Sequence, residues 1–407
     1  MHDGTFAPQA TRRFSQKREA IMAAATEILN RHGVKGITLA GVAEKVGLIT
    51  TSVTYYFRKK EDLASACFVS GIERLSALVA EARGEASAVE RVRRLLQLYL
   101  ALSARIAQGL EPPIPIFSDI RALSHEHVGP VAAAYGELFR KIRGLLQGPD
   151  TRWMSRGAAS ARTQILLEQL LWSMAWLPRY DVEDYPRVCE RMHDILAFGL
   201  GVPGAAWVPA TLALQTGVPG DGARDAFLLA ATRLINQRGY RGASVERISA
   251  VLSVTKGSFY HYHSAKDDVI AACFERSFEI VRRAQAEARA LAGDEWLQLT
   301  SAAAALVDFQ LSEAGPLLRT SALIALPEAI RAQMIEQSAR LSDRFAAMIS
   351  DGIAAGVLRP VDSAIAAQML TATINAAADL PVILRGVDRA VAAGLYAKPM
   401  FTGLLTR

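Results

Sequence analysis

Residues 24–68 read AATEILNRHGVKGITLAGVAEKVGLITTSVTYYFRKKEDLASACF, and residues 230–274 read AATRLINQRGYRGASVERISAVLSVTKGSFYHYHSAKDDVIAACF. The two stretches align without a gap. Identical residues fill 13 of the 45 aligned positions: Ala24, Ala25, Thr26, Asn30, Gly33, Gly36, Ser52, Tyr56, Lys60, Asp62, Ala66, Cys67 and Phe68 in the first copy. Leu177-Pro178 likewise recurs as Leu380-Pro381. The chain therefore reads as one unit, about half of its 407 residues long, that is written twice.

Each copy opens with apolar residues at helical spacing, which predicts an amphipathic helix that ends at Gly33 or at Gly239. Thr38 and Ser244 follow where a helix N-cap belongs. A short helix, a break at Gly47 and a second short helix from about residue 50 to about residue 56 come next. Two short helices joined by a tight turn that contains glycine are typical of a helix-turn-helix.

Beyond each of these segments the sequence is rich in Ala and Leu and has helical periodicity, without the alternation of a strand. We therefore predict an all-α fold with two units. The expected domains are residues 1–70 (first helix-turn-helix), 71–200 (first helical domain), 201–222 (linker), 223–276 (second helix-turn-helix) and 277–407 (second helical domain).

Composition excludes several protein classes. Hydrophobic residues make up 51% and charged residues 21%, as in a globular chain. No run of about 18 uncharged apolar residues is present, and residues 1–13 lack the apolar core of a signal peptide, so we expect a cytoplasmic protein without a membrane partner. Three widely spaced cysteines argue against a disulfide framework. The net charge of +6 permits an anionic partner, and the basic stretch 11–18 is either a frayed end or an arm that touches DNA.

Residues 18–68 resemble the DNA-binding module of the TetR family of repressors, and residues 224–274 resemble a second copy. The first resemblance rests on Gly33, Thr38, Val42-Ala43, Gly47-Leu48, Tyr55-Tyr56-Phe57 and Lys60-Glu61-Asp62-Leu63. The second rests on Gly239-Tyr240, Ser244-Val245, residues 254–260 and Lys266-Asp267-Asp268. Over the rest of each half, the resemblance to the family is limited to helical character and length.

The resemblance implies an architecture. Family members are all-α homodimers in which each protomer has one helix-turn-helix and a larger helical domain that binds a small effector and forms a four-helix dimer interface. This chain resembles two fused protomers, so we expect an intramolecular pseudo-dimer. Its interface helices are expected at about 160–177 and 184–200 in the first half, and at 363–378 and 387–405 in the second.

The N-terminal residues of a recognition helix reach base edges in the major groove. The predicted DNA contacts of the first unit are Thr38, Thr50, Thr51, Ser52, Thr54, Tyr55, Tyr56 and Lys60. Those of the second unit are Ser244, Lys256, Gly257, Ser258, Tyr260, His261, Tyr262 and Lys266. Because these two recognition helices differ, we expect an operator whose half-sites differ. Tyr56 and Tyr262 also suit partial core packing.

A small, hydrophobic effector is the expected ligand, with no cofactor and no metal. The candidate effector contacts are Phe117, Arg121, Trp172 and Trp176, although aromatic residues at helical spacing are more often core or interface. His125 and His127 are two residues apart, so they do not share a face of a helix and a shared metal is not expected.

Three alternatives remain open at the level of sequence. Catalysis is one, although no glycine-rich phosphate loop, Gly-x-Ser-x-Gly or Cys-x-x-Cys motif is present. In the second, the second helix-turn-helix is structural and the chain must homodimerise to bind DNA. Ser253 in place of Gly47 supports it, as do eight Lys/Arg against seven Asp/Glu over residues 221–280. In the third, a fused chain with two working heads still dimerises.

Overall fold

A computed structural model describes residues 9–214, 222–243, 245–251, 266–326 and 328–406. The first half contains helices α1 (Gln9–Gly36), α2 (Leu39–Lys45), α3 (Thr50–Tyr56), α4 (Lys60–Ala82), α5 (Ala88–Ala107), α6 (His125–Leu145), α7 (Arg156–Trp176) and α8 (Tyr185–Phe198). The described part of the second half contains α9 (Gly222–Gly242), α10 (Val245–Val251), α11 (Lys266–Arg289), α12 (Glu295–Gln310), α13 (Glu328–Ala354), α14 (Ser363–Ala376), α15 (Leu380–Ile383) and α16 (Arg389–Thr402). The predicted all-α fold is confirmed.

Details inside each half confirm the repeat. The Asn30 side chain donates to the carbonyl of Ile114 at 2.9 Å, and the Asn236 side chain donates to that of Leu317 at 2.8 Å. Each asparagine side-chain oxygen also accepts a hydrogen bond from a backbone N–H, which belongs to the residue two positions after Ile114 or after Leu317. The two asparagines therefore hold the segments that follow α5 in the first half and α12 in the second.

The chain divides into two compact units. Unit 1 comprises Met1–Ser76 and Gln108–Leu138, and unit 2 comprises Ala77–Ala107 and Phe139–Arg407. Unit 1 thus holds the first helix-turn-helix, with a core in which Ile21, Ala25, Leu63 and Phe68 are fully buried. Unit 2 holds the interface helices of both halves.

Helix α4 is long and apolar enough, by length and composition alone, to cross a membrane, and its most apolar window has a mean hydropathy of 1.4. In the structure 44% of that window is buried, and Leu63, Cys67 and Phe68 are core residues. One such helix is weak evidence for a membrane span, because the core helix of a globular domain passes the same test.

The predicted interface helices meet within unit 2. Helices α7 and α8 of the first half pack on α14 and α16 of the second half. Gln169 on α7 donates to the carbonyl of Met369 at 3.0 Å and to the hydroxyl of Thr373 at 3.1 Å. Arg162, a residue only 4% exposed, donates through its guanidinium Nε to the carbonyl of Leu404 at 2.7 Å. The two halves therefore form the expected intramolecular pseudo-dimer.

Backbone bonds across this interface are reciprocal. The N–H of Leu200 donates to the carbonyl of Phe401 at 3.0 Å, and the N–H of Leu404 donates to the carbonyl of Leu196 at 2.7 Å. The end of each half thus bonds to the last helix of the other half. Reciprocity of this kind characterises a two-fold interface, in which the same patch is used by both partners.

The described part of the connecting segment, up to residue 214, is attached to the second half. The carbonyl of Ala206 accepts a hydrogen bond from the Trp296 indole at 2.8 Å, and the N–H of Ala210 donates to the Ser301 hydroxyl at 2.8 Å. The Trp207 ring lies 5.0 Å from the ring of Phe401, centroid to centroid. The described part of the connecting segment therefore packs against the second half.

Candidate nucleic-acid interface

The first helix-turn-helix has a capped first helix and a tight turn. The Thr38 side chain accepts a hydrogen bond from the N–H of Gly41 at 3.0 Å, which confirms Thr38 as the N-cap of α2. Gly47 adopts a φ of 66°, a conformation that favours glycine. The N–H of Leu48 then donates to the carbonyl of Ala43 at 2.9 Å and closes the turn.

One residue anchors α3 and the others face outward. Val53 is fully buried, whereas Thr50, Thr51, Thr54 and Tyr55 are exposed, and Ser52 and Tyr56 are half-buried. The Thr54 hydroxyl donates to the carbonyl of Thr50 at 2.9 Å, so its proton is used inside the helix. In this state Thr54 presents its methyl group and oxygen lone pairs, which suit a thymine methyl and a base amino group.

Six of the eight predicted first-unit contacts thus lie on α3, whereas Thr38 caps α2 and Lys60 begins α4. A further exposed residue, not predicted as a contact, lies at the start of α3. Ile49, the N-cap residue of α3, is 71% exposed. An exposed isoleucine at the start of a helix that otherwise offers hydroxyl groups adds an apolar surface for thymine methyls. In the sequence, the only indication that Ile49 is exposed is its position directly before the first turn of the second short helix.

The start of α1 packs against the recognition helix. Phe14 lies 4.7 Å from Tyr56 and 6.1 Å from Tyr55 between ring centroids, and the two tyrosine rings are 5.3 Å apart. Four residues further along α1, the Arg18 guanidinium lies 5.3 Å from the centre of the buried Phe57 ring. Residues 11–18 are therefore part of helix α1 and pack against α3. Neither the frayed end nor the DNA-contacting arm expected from the sequence includes this packing.

Lys60 lies in the first turn of α4 and bonds to the end of α1. The Lys60 ammonium donates to the carbonyl of Lys35 at 3.3 Å, at the C-terminal end of α1. Asp62 accepts from the N–H of Lys59 at 3.0 Å and from His127 Nε2 at 3.1 Å. Lys60 is half-buried and keeps further protons for a phosphate oxygen.

Both ring nitrogens of His127 lie within hydrogen-bond distance of protein side chains. Its Nδ1 lies 2.7 Å from the Ser124 hydroxyl, so the ring links the start of α6 to the start of α4. No group of three or more His, Cys, Asp and Glu side chains among the described residues is arranged to hold a metal ion.

The second helix-turn-helix is described in part. Ile248 on α10 is buried against its core, and Arg276 forms an ion pair with Asp225 at 2.7 Å. The predicted contacts Ser244, Lys256, Gly257, Ser258, Tyr260, His261 and Tyr262 lie outside the described residues, as does the side chain of Lys266. Ser253 lies outside them as well.

The four candidate effector contacts fall in different units. Phe117 and Arg121 belong to unit 1, where Phe117 is buried between Phe68 and Tyr135 at centroid distances of 6.4 and 6.1 Å. Trp172 and Trp176 belong to unit 2, and the indole N–H groups of both are buried without a hydrogen-bond partner in the described structure. Trp176 lines a cleft of about 50 Å³, well below the volume of most small-molecule sites.

Comparison with protein families assigns the chain. The model described as "Bacterial regulatory proteins, tetR family" matches residues 21–67 and again residues 227–273. The chain is a tandem TetR-like regulator. A second model, "Tetracyclin repressor-like, C-terminal domain", matches residues 293–379 of this regulator. Both models describe regulators rather than enzymes, and the helix-turn-helix of the tandem regulator is a DNA-binding module.

Solved structures that resemble the tandem regulator each align with less than half of it. The TetR family regulator PfmR from Thermus thermophilus is 20% identical, with 44% of this chain and 99% of that chain covered and a TM-score of 0.38. FadR from Bacillus subtilis, solved in complex with stearoyl-CoA, is 17% identical over 44% and 97%, with a TM-score of 0.35. A TetR/AcrR family regulator from Thermobifida fusca is 24% identical over 44% and 96%, with a TM-score of 0.31. No curated protein matches the chain.

Proposed function

We propose that the chain is a cytoplasmic, ligand-responsive repressor that reads one operator with two helix-turn-helix heads carried by a single chain. The reciprocal bonds between Leu200 and Phe401 and between Leu404 and Leu196 are the observation that carries this proposal. They mean that each half already has its dimer partner within the chain. One chain then supplies the two reading heads for which other family members need two protomers.

The two heads carry different residues, so the proposed operator has unlike half-sites about one helical turn, or ~34 Å, apart. The first head offers Thr50, Thr51 and Thr54, and the second has Lys256 and Gly257 near the corresponding positions. Hydroxyl and methyl groups suit thymine, whereas a lysine suits guanine or phosphate. Selection from random DNA should therefore return a non-palindromic consensus, and a palindromic one would contradict the proposal.

The mass of the complex with the DNA upstream of its own gene, measured by light scattering at moderate salt, tests the stoichiometry. We expect one 44.0 kDa chain per operator. Lys60→Ala and Lys266→Ala should each weaken binding and reduce the slope of log K against log salt by about one, as expected when one phosphate contact is lost. Two chains per operator would exclude the single-chain arrangement.

A second candidate is a regulator whose second head is structural and which homodimerises to bind DNA. It is favoured by Ser253 at the position of Gly47 and by the near-neutral charge of residues 221–280. This candidate predicts two chains per operator and no effect of Lys266→Ala. The scattering measurement therefore separates the two candidates, with Lys60→Ala as the matched variant that weakens binding under both.

The ligand response is proposed from the helical domains, and the ligand is taken to be a small molecule that shifts the preferred arrangement of the two heads. A titration of the operator complex with candidate effectors tests it. Release of DNA that saturates with effector concentration is the expected result. If the release of DNA depends only on ionic strength, the protein is not ligand-responsive.

A further inference from the structure

A cleft of about 370 Å³ lies in unit 2 between α11 and α13. This volume is within the range of small-molecule sites, which is about 300–1,000 Å³. Six of its seven lining side chains are polar or charged: Arg282 comes from α11, and Gln333, Glu336, Gln337, Arg340, Leu341 and Arg344 come from α13. Beside the cleft the buried Gln285 on α11 donates to the carbonyl of Leu341 at 2.9 Å, which links α11 to α13.

The lining contains three guanidinium groups and one carboxylate, that of Glu336. Arg340 bonds to Glu336 at 2.6 Å, four residues earlier on the same helix, and Arg282 bonds to Glu279 at 2.9 Å on its own helix. Both pairs are exposed to solvent, and exposed pairs contribute little, so an anion in the cleft competes with them easily. Arg344 forms no ion pair within the described part of the chain.

The first half lacks this set of charges. Helices α6 and α13 begin at equivalent positions, His125 and Glu328, and their equivalent residues Leu138 and Leu341 are both buried. On that alignment the counterparts of the α13 lining residues are Pro130, Ala133, Ala134, Glu137, Leu138 and Lys141. The alignment of the two helix-turn-helix segments, continued along α4 and α11, pairs Arg282 with Ser76. The three arginines are therefore specific to the second half, whereas a true homodimer would carry any such feature twice.

We propose that this arginine cleft binds a small polyanion, a molecule with two or more phosphate or carboxylate groups. A guanidinium group presents a planar fork of donors that matches both kinds of oxyanion, and the two glutamines add neutral donors. Leu341 is the one apolar side chain in the lining, so the charged ends of the arginines are the groups that can give a ligand specific hydrogen bonds. The inference goes beyond the proposed function, because the binding needs no DNA.

Isothermal titration of the full chain with inorganic pyrophosphate, at an ionic strength held constant with NaCl, tests the proposal. We expect saturable binding of one pyrophosphate per chain. Arg344→Ala and Arg282→Ala should each weaken it at least tenfold, and Arg344→Lys should weaken it less. Lys141→Ala is the matched control, because it removes a cation at the equivalent position of the first half, and it should leave binding within twofold.

Titration with citrate shows whether carboxylates serve as well as phosphates, and tight binding of either supports the site. Binding that does not saturate, or that falls equally in Arg344→Ala and Lys141→Ala, would overturn it.

Operator binding without pyrophosphate should be unchanged in Arg344→Ala. If it weakens, the arginines contact the DNA backbone and the small-anion site is wrong. Failure of the proposed function would show instead in Lys60→Ala and in the mass of the DNA complex.

Discussion

Gly199 and Gly403 occupy equivalent positions in the two halves, and each lies against the backbone of the other half. A Cβ atom on Gly199 would come within 2.3 Å of the Phe401 carbonyl oxygen, and one on Gly403 within 2.4 Å of that of Ala197. Both residues also have positive φ angles, 72° and 97°. The close approach of the two halves therefore depends on the absence of a side chain at both positions.

Gly199→Ala and Gly403→Ala should each destabilise the chain by more than the strain of a positive φ, which is about 1–3 kcal/mol, because a backbone atom blocks the new methyl group. Gly356→Ala is the matched control, since Gly356 has a φ of 76° and open space around it. Urea unfolding midpoints measure the difference. Equal losses in all three variants would mean that the contact between the halves is not tight.

Acid should destabilise unit 2 through His193. Burial, followed by the charge of Arg93, lowers the pKa of His193 from its usual 6.5, and Arg93 Nε donates to its Nδ1 at 3.4 Å. Because the folded pKa is below the unfolded value, the unfolded chain binds more protons at low pH. The stabilisation is present above about pH 6.5 and is lost as the pH falls through the folded pKa.

His193→Gln should flatten the dependence of the free energy of unfolding on pH below about pH 6.5. His32→Gln, at an exposed position, is the control for the substitution itself. Denaturant unfolding at a series of pH values gives both curves. An unchanged acid slope in His193→Gln would rule out His193 as the cause.

Ile49 should contribute to sequence preference if the first head reads DNA as proposed. One methyl group removed from water is worth about 0.8 kcal/mol, or about a fourfold change in affinity. Ile49→Ala should therefore weaken an operator with thymine in the first half-site about fourfold and leave an operator with uracil there almost unaffected. Val208→Ala, at another exposed residue, is the control. Equal losses on both operators would show that Ile49 does not touch a thymine methyl.

The three thiols should be inert in the folded chain. Burial raises the pKa of Cys67 to about 11 and those of Cys189 and Cys273 to about 12, so almost no thiolate is present at neutral pH. A coloured disulfide reagent at pH 8 should label none of them before unfolding and all three in denaturant. Rapid labelling of the native chain would show that a core opens locally.

Much of the fold could be predicted from the sequence because the signals are local. Thr38 is an N-cap because its side chain reaches an N–H three residues away, and Gly47 is a break because of its own φ. The interface helices followed from the resemblance. Their partners across the chain, such as Gln169 and Thr373, depend on side chains that meet only after folding.

The candidate effector contacts show where sequence reasoning stops. Phe117 and Trp176 were grouped because both are aromatic and lie in one half, yet they belong to different compact units. The arginine cleft was missed because Arg282 and Arg344 are far apart in the sequence and are unremarkable when considered singly. Crossing of two helices brings them together, and no periodicity reveals such a crossing.

The bonds that join Leu200 to Phe401 and Leu404 to Leu196 lie within one polypeptide, which changes how the regulator responds to its own abundance. A dimer of separate subunits falls apart when few copies are present, so promoter occupancy then depends on the square of the protein level. Here the second half stays at a fixed, high local concentration however few chains the cell makes. In the proposed complex of one chain per operator, control of the promoter therefore scales linearly with copy number, and no subunit is released to pair with a related regulator.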